Sequence, residues 1–269
     1  MGLAARAALE GIMRTVVVTG SASGIGKALK GLLEADGHRV IGVDLRDADV
    51  TVDLTTDDGR AELVEKVTAL SGGTIDAVVA NAGLSNGSPA TLAVNYFGAV
   101  ATLDGLRPLL AGSDAPRAAV TCSMASLLPV DDRLVELTLE GDEAAALARA
   151  AELTEAGTGD IIYGSSKAAV AHWLRRAAPT ADWAGAGIPL NAIGPGIVQT
   201  GMTREMLSTD ESTKAVEAVV PMPLGGIMGP EVPAYLLRFL VSPENSHMCG
   251  QVVFVDGGSD VVFRSDKVW

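Results

Sequence analysis

The segment Thr19-Gly20-Ser21-Ala22-Ser23-Gly24-Ile25-Gly26 stands between a β-branched run, Arg14–Thr19, and a stretch of helical periodicity, Gly24–Asp36. This junction constrains the fold more than any other part of the chain. Gly20 makes a tight turn, Gly24 lets backbone approach a pyrophosphate closely, and Gly26 lets the helix lie against the strand. The helix N-terminus then offers free N–H groups and a positive dipole end to phosphates. Gly20, Ser23, Gly24, Ile25 and Gly26 are therefore candidate cofactor-binding residues. The structural alternative is a tight strand–helix turn with no ligand.

The rest of the chain repeats the pattern. Strand-like runs at Arg39–Val43, Val50–Val52, Ile75–Ala80, Arg117–Ser123, Ile188–Ile193 and Gln251–Val255 alternate with helical stretches at Asp57–Leu70, Ser88–Leu110, Asp160–Trp183 and Glu231–Val241. Such alternation predicts βαβ units. Right-handed crossovers place helices on both faces of a parallel sheet. The expected fold class is α/β, a Rossmann-type doubly wound parallel sheet. Residues 1–12 read as an N-terminal extension and 13–269 as one domain, because no repeat, low-complexity tract or linker divides it. Aromatics make up only 4% of the residues, so the core must be built from Val, Leu, Ile and Ala, which suits strands buried on both faces.

Several function classes are poor fits. A net charge of −13 repels phosphate backbones and anionic lipid, so neither nucleic acid nor a membrane surface is the expected partner. No apolar run reaches membrane-spanning length. The opening residues do not read as a secretory signal. Cys122 and Cys249 match no metal or redox spacing, and two free thiols point to a reducing, cytoplasmic setting. His38, His172 and His247 are scattered, so no metal site is expected.

Asp44 ends the second strand, 24 positions after Gly20. A carboxylate there can accept from ribose hydroxyls and repels a 2′-phosphate, which favours NAD over its phosphorylated form. Its structural alternative is a strand-end turn former. Asp53 and Leu54 follow the short Val50–Val52 strand, where an adenine ring would lie. Tyr163 and Lys167 occupy i and i+4 of a helix and so share a face. A free phenol has a pKa near ~10, and a nearby ammonium favours phenolate. Lowering that value by about two to three units takes roughly 3–4 kcal/mol, which one close ammonium is expected to supply. Tyr163 could then exchange a proton with a carbonyl or carbinol oxygen as hydride moves on a nicotinamide. Such a pair alone is common on helix faces.

Thr19–Gly26, Asn81-Ala82-Gly83, Asn95, Ser123, Tyr163/Lys167 and Pro195-Gly196…Thr200 together resemble the six ordered motifs of the short-chain dehydrogenase/reductase family, over about residue 13 to Gly258. The resemblance implies that Asn81, Ala82 and Gly83 shape the cofactor floor, although Ala80 stands where a first asparagine is frequent. It implies catalytic Asn95, Ser123, Tyr163 and Lys167, with Asn95 holding a water that relays protons to Lys167. Ser123 would bond the substrate oxygen, with Ser126 as the alternative. It further implies that Pro195, Gly196, Val198, Thr200, Met202 and Leu45 contact NAD, with Thr200 binding the carboxamide.

Gly37–Arg60, Val94–Ala99 and an insertion before Tyr163 are similar to a narrower branch, the bacterial 3α-hydroxysteroid dehydrogenase/carbonyl reductases. Ser123 and Tyr163 lie 40 positions apart, more than most family members allow. Leu134, Leu137, Leu147 and Leu153 give the intervening acidic segment, 127–159, a helical stripe that Gly141 breaks in two. It reads either as a solvated decoration or as a lid or oligomer-modifying element. In that branch the insertion obstructs a widely used helix-pair interface, so a homodimer or homotetramer is expected, the dimer forming by another surface. Residues 201–220, with Met202, Met206, Leu207, Val216 and Val219, form the expected substrate-binding segment. The expected substrate is a hydroxyl/carbonyl compound of steroid type or a small alicyclic or aromatic carbonyl. A non-catalytic NAD-binding sensor, or a dehydratase or epimerase returning hydride internally, are the other readings.

Overall fold

Strands of Val, Ile and Ala buried on both faces require a helical layer on each side. The computed structural model describes residues 13–268; the proposed 1–12 extension lies outside the described residues. Seven strands, β1 (Thr15–Thr19), β2 (Arg39–Asp44), β3 (Val50–Thr51), β4 (Ala77–Ala80), β5 (Arg117–Thr121), β6 (Leu190–Pro195) and β7 (Val252–Val255), form one parallel sheet in the order β3-β2-β1-β4-β5-β6-β7. The helices are α1 (Gly24–Ala35), α2 (Asp57–Ser71), α3 (Pro89–Leu92), α4 (Ala99–Leu106), α5 (Asp132–Glu140), α6 (Glu143–Glu155), α7 (Ile161–Ala177), α8 (Asp210–Val219), α9 (Glu231–Leu240) and α10 (Ser259–Arg264).

Consecutive strand residues point to opposite faces, and the core divides accordingly. Val16, Val18, Ala77, Val79, Ala119 and Ile193 pack with Leu29 and Leu33 of α1 and Ala234, Leu237 and Leu240 of α9. Val17, Ile41, Val43, Val78, Ala118 and Val120 pack with Leu63 and Val67 of α2, Leu103 and Leu106 of α4, and Val170 and Leu174 of α7. The chain winds outward from β1 to β3, then returns to the other side of β1 at β4. That reversal opens a crevice beyond the carboxyl ends of β1 and β4, where doubly wound sheets bind ligands.

Strand and helix bounds differ from expectation mostly by one or two residues, as termini do. Two differences are larger. The periodicity of Ser88–Leu110 predicts a continuous helix, but α3 passes into a π-helical segment, Ala93–Gly98, before α4 and a 3-10 turn at Arg107–Gly112. Side chains bond this segment to distant residues. Asn95 turns inward and bonds Leu84 and Ser166, and Arg60 takes the carbonyl of Ala93. A π-bulge is the usual result when a helix admits an extra residue to place a group. The helix expected over Asp160–Trp183 ends earlier, at Ala177, two residues before Pro179, and Trp183 is buried in the turns that follow.

The insertion is part of the core rather than a solvated decoration. Gly141 separates α5 from α6 in the left-handed region, φ 79°. Leu134, Ala146 and Ala150 are fully buried, and Leu137 and Leu153 nearly so. Asp131 caps α5 through Leu134 N–H and pairs with Arg149 at 2.7 Å. The N–H of Asp131 donates to Ser165 Oγ of α7 at 2.9 Å, and Thr154 Oγ1 donates to the Gly87 carbonyl at 2.8 Å.

Candidate active site

The glycine turn has the shape of a cradle. Gly20 and Gly24 adopt φ of 69° and 52°, a region that side chains rarely enter. A Cβ on Gly26 would stand 2.1 Å from the Gly20 carbonyl oxygen, and one on Gly24 would stand 3.2 Å from the Thr200 methyl. Ser23 precedes α1 with extended backbone and no side-chain cap. The first-turn N–H groups of α1 thus have no capping side chain in front of them, as phosphate binding requires. Asp44 closes β2. Its Oδ2 accepts from Ala22 N–H at 2.9 Å and its Oδ1 from Leu45 N–H at 2.7 Å, so the carboxylate is fixed against the turn. These features fit a dinucleotide.

The next strand ends carry the polar floor. Thr19 Oγ1 accepts from the N–H groups of Asn81 and Ala82 at 2.9 and 3.0 Å. Asn81 Nδ2 donates to the Thr19 carbonyl, and Asn81 Oδ1 accepts from Thr121 Oγ1 at 2.9 Å. Thr121 also holds the lysine: Lys167 Nζ donates to its carbonyl at 2.8 Å. Hydrogen bonds through Asn81 and the two polar groups of Thr121 thus tie the glycine turn to Lys167. Thr121 and Ser123 are i and i+2 at the end of β5 and share a face, the one signal in the sequence that could have singled out Thr121.

Tyr163 and Lys167 do share a face of α7, and the ammonium lies 5.8 Å from the centre of the Tyr163 ring. Their electrostatics differ from the sequence expectation. Burial pushes the Tyr163 phenol up; a hydrogen bond with Ser123 works in the other direction, and Lys167 is not among the lowering influences. Burial also lowers the Lys167 ammonium to about 8. In the protein by itself the phenol is a neutral acid, and desolvation of both groups outweighs their mutual effect. Ser123 Oγ further accepts from Ala125 N–H, whereas Ser126 Oγ donates to the Ser123 carbonyl at 2.7 Å. Of the two serines, Ser123 is the one bonded to Tyr163.

Asn95 lies beneath the floor, 1% exposed. Its Nδ2 donates to the Leu84 carbonyl and to Ser166 Oγ, both at 3.0 Å, and its Oδ1 accepts from Leu84 N–H at 2.8 Å. Both amide hydrogens are committed, so only Oδ1 and the main chain remain to accept from a relay water. A Cβ on Gly83 would lie 3.1 Å from Asn95 Oδ1 and 3.7 Å from Lys167 Nζ. Gly83 therefore keeps open the space between the two groups that the resemblance links.

These elements enclose a cleft of ≈ 490 Å³. It brings together Gly20, Ser23, Gly24, Ile25, Asn81, Ala82, Gly83, Ser123, Tyr163, Lys167, Pro195, Gly196, Val198, Thr200 and Met202 from the expected set. Gly26 lies behind the turn, packed on Gly20. Leu45 and Asp53 are exposed and are not among the cleft-lining residues; Asp53 Oδ1 accepts from Thr55. Leu54 belongs to the core. Gly201 and Thr203, from the expected 201–220 segment, also line the cleft, and the sequence reading missed Leu84, Ser85, Asn86, Thr121 and Cys122, which line it too. Leu84 to Asn86 directly follow the Asn81-Ala82-Gly83 motif, and Thr203 Oγ1 ties the 198–203 loop by donating to the Val198 carbonyl. Among the described residues no group of His, Cys, Asp and Glu could hold a metal ion, and no helix is long and apolar enough to cross a membrane.

Known proteins resemble the chain over nearly its whole length. The family model described as Enoyl-(Acyl carrier protein) reductase matches residues 20–260. The 3-alpha-hydroxysteroid dehydrogenase/carbonyl reductase of Comamonas testosteroni is 37% identical over 257 residues, covering 94% of this chain and 98% of its own. The cis-4-hydroxycyclohexanecarboxylate dehydrogenase of Sinomonas cyclohexanicum is 30% identical over 267 residues, covering 93% and 97%. The crystal structure of the 3-alpha-hydroxysteroid dehydrogenase from Pseudomonas sp. B-0831 complexed with NADH matches with a TM-score of 0.85 at 38% identity, over 94% of this chain and 99% of that one.

Proposed function

The chain belongs to the short-chain dehydrogenase/reductase family, and on that premise we propose that it is an NAD(H)-dependent enzyme that interconverts a 3α-hydroxysteroid, or a related bulky secondary alcohol, with its ketone. The observation that carries this reading is the placement of Tyr163, Ser123 and Lys167 in the same cleft as the glycine cradle. When bound, the nicotinamide would supply hydride to a carbonyl carbon or accept it from a carbinol, and its oxidised form adds a positive charge that favours phenolate. The rest falls to the chain. Tyr163 Oη gives its proton to the carbonyl oxygen in reduction and takes the carbinol proton in oxidation. Ser123 Oγ bonds the same substrate oxygen. Lys167 keeps a positive charge beside the phenol, and Asn95 continues the proton path behind it.

Asp44 supports NAD over the 2′-phosphorylated cofactor, because a carboxylate fixed against the glycine turn at the end of β2 would meet the adenosine ribose, and like charges repel. Met202 lines the cleft, and Met202, Met206 and Val219 of the 201–220 segment are exposed. Flexible apolar side chains of this kind can cover a bulky apolar ligand. The names of the Comamonas and Pseudomonas relatives point the same way, while the Sinomonas relative supports a small alicyclic alcohol as the second reading. A non-catalytic sensor is disfavoured physically: a buried lysine with a depressed pKa costs stability that a mere scaffold has no reason to bear. We further propose a homo-oligomer in the cytoplasm, consistent with its two free cysteines.

Tyr163→Phe tests the mechanism. The expected result is near-total loss of alcohol turnover with NADH affinity, read by fluorescence, within about twofold of the parent. A variant retaining most of its turnover would rule Tyr163 out as the acid/base group.

A further inference from the structure

Arg60, on α2, is a buried arginine that the mechanism above does not use; its side chain is only 8% exposed. All five of its N–H donors have partners, the full capacity of a guanidinium. Nε donates to the Leu54 carbonyl at 2.9 Å. Nη1 donates to Asp57 Oδ1 at 3.1 Å and to Glu143 Oε2 at 2.7 Å. Nη2 donates to Glu143 Oε1 at 2.8 Å and to the Ala93 carbonyl at 3.3 Å. Glu143 is the first residue of α6, 83 positions away in the chain. The pair is bidentate, the strongest geometry for a carboxylate and an arginine.

What this fork holds is the π-helical segment. Ala93, whose carbonyl it takes, precedes Asn95 by two residues. Phe97, whose ring centre lies 5.8 Å from the guanidinium carbon, follows Asn95 by two residues. The guanidinium thus brackets Asn95 on its own segment, while Asn95 reaches Leu84 at the cleft wall and Ser166 next to Lys167. A regular α-helix would turn Asn95 to another direction, and the Ala93 carbonyl is one of the groups whose outside partner accompanies the bulge.

We propose that Arg60, held by Glu143 of the insertion, is a positioning residue that sets Asn95 in the active site. This inference rests on the function proposed above. It gives the insertion a second role: it supplies the carboxylate that fixes the buried cation on which the bulge depends.

The test uses three variants of the full chain. In Arg60→Lys a point charge with three donors replaces a planar fork with five, so it cannot hold Glu143, Leu54 and Ala93 together. Glu143→Gln removes the partly buried carboxylate of the bidentate pair and leaves the guanidinium only the exposed Asp57 as a counter-charge. The double variant Arg60→Met with Glu143→Leu removes both charges, a change that is often neutral or stabilising for a buried pair. The expected result for all three is kcat lower by about tenfold, the size such indirect couplings reach, with KM for NAD little changed. Amide hydrogen exchange should quicken across 93–99 but not across α7. In the double variant the melting temperature should recover while kcat stays low. Recovery of kcat along with stability would overturn the proposal, since Arg60 would then serve packing only. A rise in KM for NAD at unchanged kcat would also overturn it, placing the effect at Leu54 rather than Asn95. The exchange comparison needs no substrate. If the parent enzyme oxidised no alcohol, the functional reading would fail, while unchanged exchange across 93–99 would separately sink the positioning role.

Discussion

Lys167 is where function and stability conflict. Burial lowers its ammonium from 10.5 to about 8, so carrying the charge at neutral pH costs about 3 kcal/mol. The sign follows from the folded value lying below the unfolded one. The stability associated with the neutral amine is complete above 10.5 and is lost as pH falls through about 8. Lys167→Met should therefore abolish turnover yet raise stability at pH 7, with the gain shrinking as pH approaches 10.5. Denaturant melts at the two pH values check this, and a variant less stable than the parent at pH 7 would contradict it. Asp44→Ala belongs to the same scale. It leaves Ala22 and Leu45 N–H without their acceptor. It should raise KM for NAD and relax discrimination against the 2′-phosphorylated cofactor; unchanged cofactor preference would remove Asp44 from the ribose site.

Among the elements, the π-helical segment shows where a reading of the sequence stops. The glycine turn, the strand–helix alternation and the Tyr163/Lys167 pair are local patterns, and the structure assembles them in the expected order. Gly141 also breaks the insertion where its pattern suggests. The bulge at Ala93–Gly98 is not local. It depends on Arg60 from α2, Leu84 from a loop and Ser166 from α7, none of which periodicity within Ser88–Leu110 can reveal. Thr121 was missed for the same reason, because its hydroxyl and carbonyl matter through Asn81 and Lys167. The i, i+4 spacing of Tyr163 and Lys167 also says nothing of desolvation, which pushes the phenol up in the protein by itself. Gly83→Ala tests the element-level account. Its methyl would enter the space between Asn95 Oδ1 and Lys167 Nζ, so kcat should fall by about tenfold or more with the melting temperature nearly unchanged. A fully active Gly83→Ala would show that this space carries no proton path.

At the scale of the molecule, the insertion joins the catalytic layer instead of decorating it. Its helices pack on α7, α3 and the π-helical segment, and Leu134 and Ala146 are fully buried. Leu134→Ala should cost about 2–5 kcal/mol of stability, the usual range for a large-to-small change in a core; a loss under about 1 kcal/mol, within the range of surface sites, would return the insertion to the status of a loose appendage. The insertion packs on those helices, so light scattering should find a homo-oligomer that does not use the helix pair widely used in the family as its interface. A tetramer built on that helix pair would contradict the arrangement. All of these elements serve one reaction: the chain moves hydride between a secondary alcohol and NAD. Absorbance at 340 nm, with the purified protein, NAD and a 3α-hydroxysteroid, measures it directly. Steady NADH formation is expected, faster than with the 2′-phosphorylated cofactor, together with the reverse reaction from ketone and NADH. No absorbance change in either direction, with steroids or with small alicyclic alcohols and ketones, would contradict it.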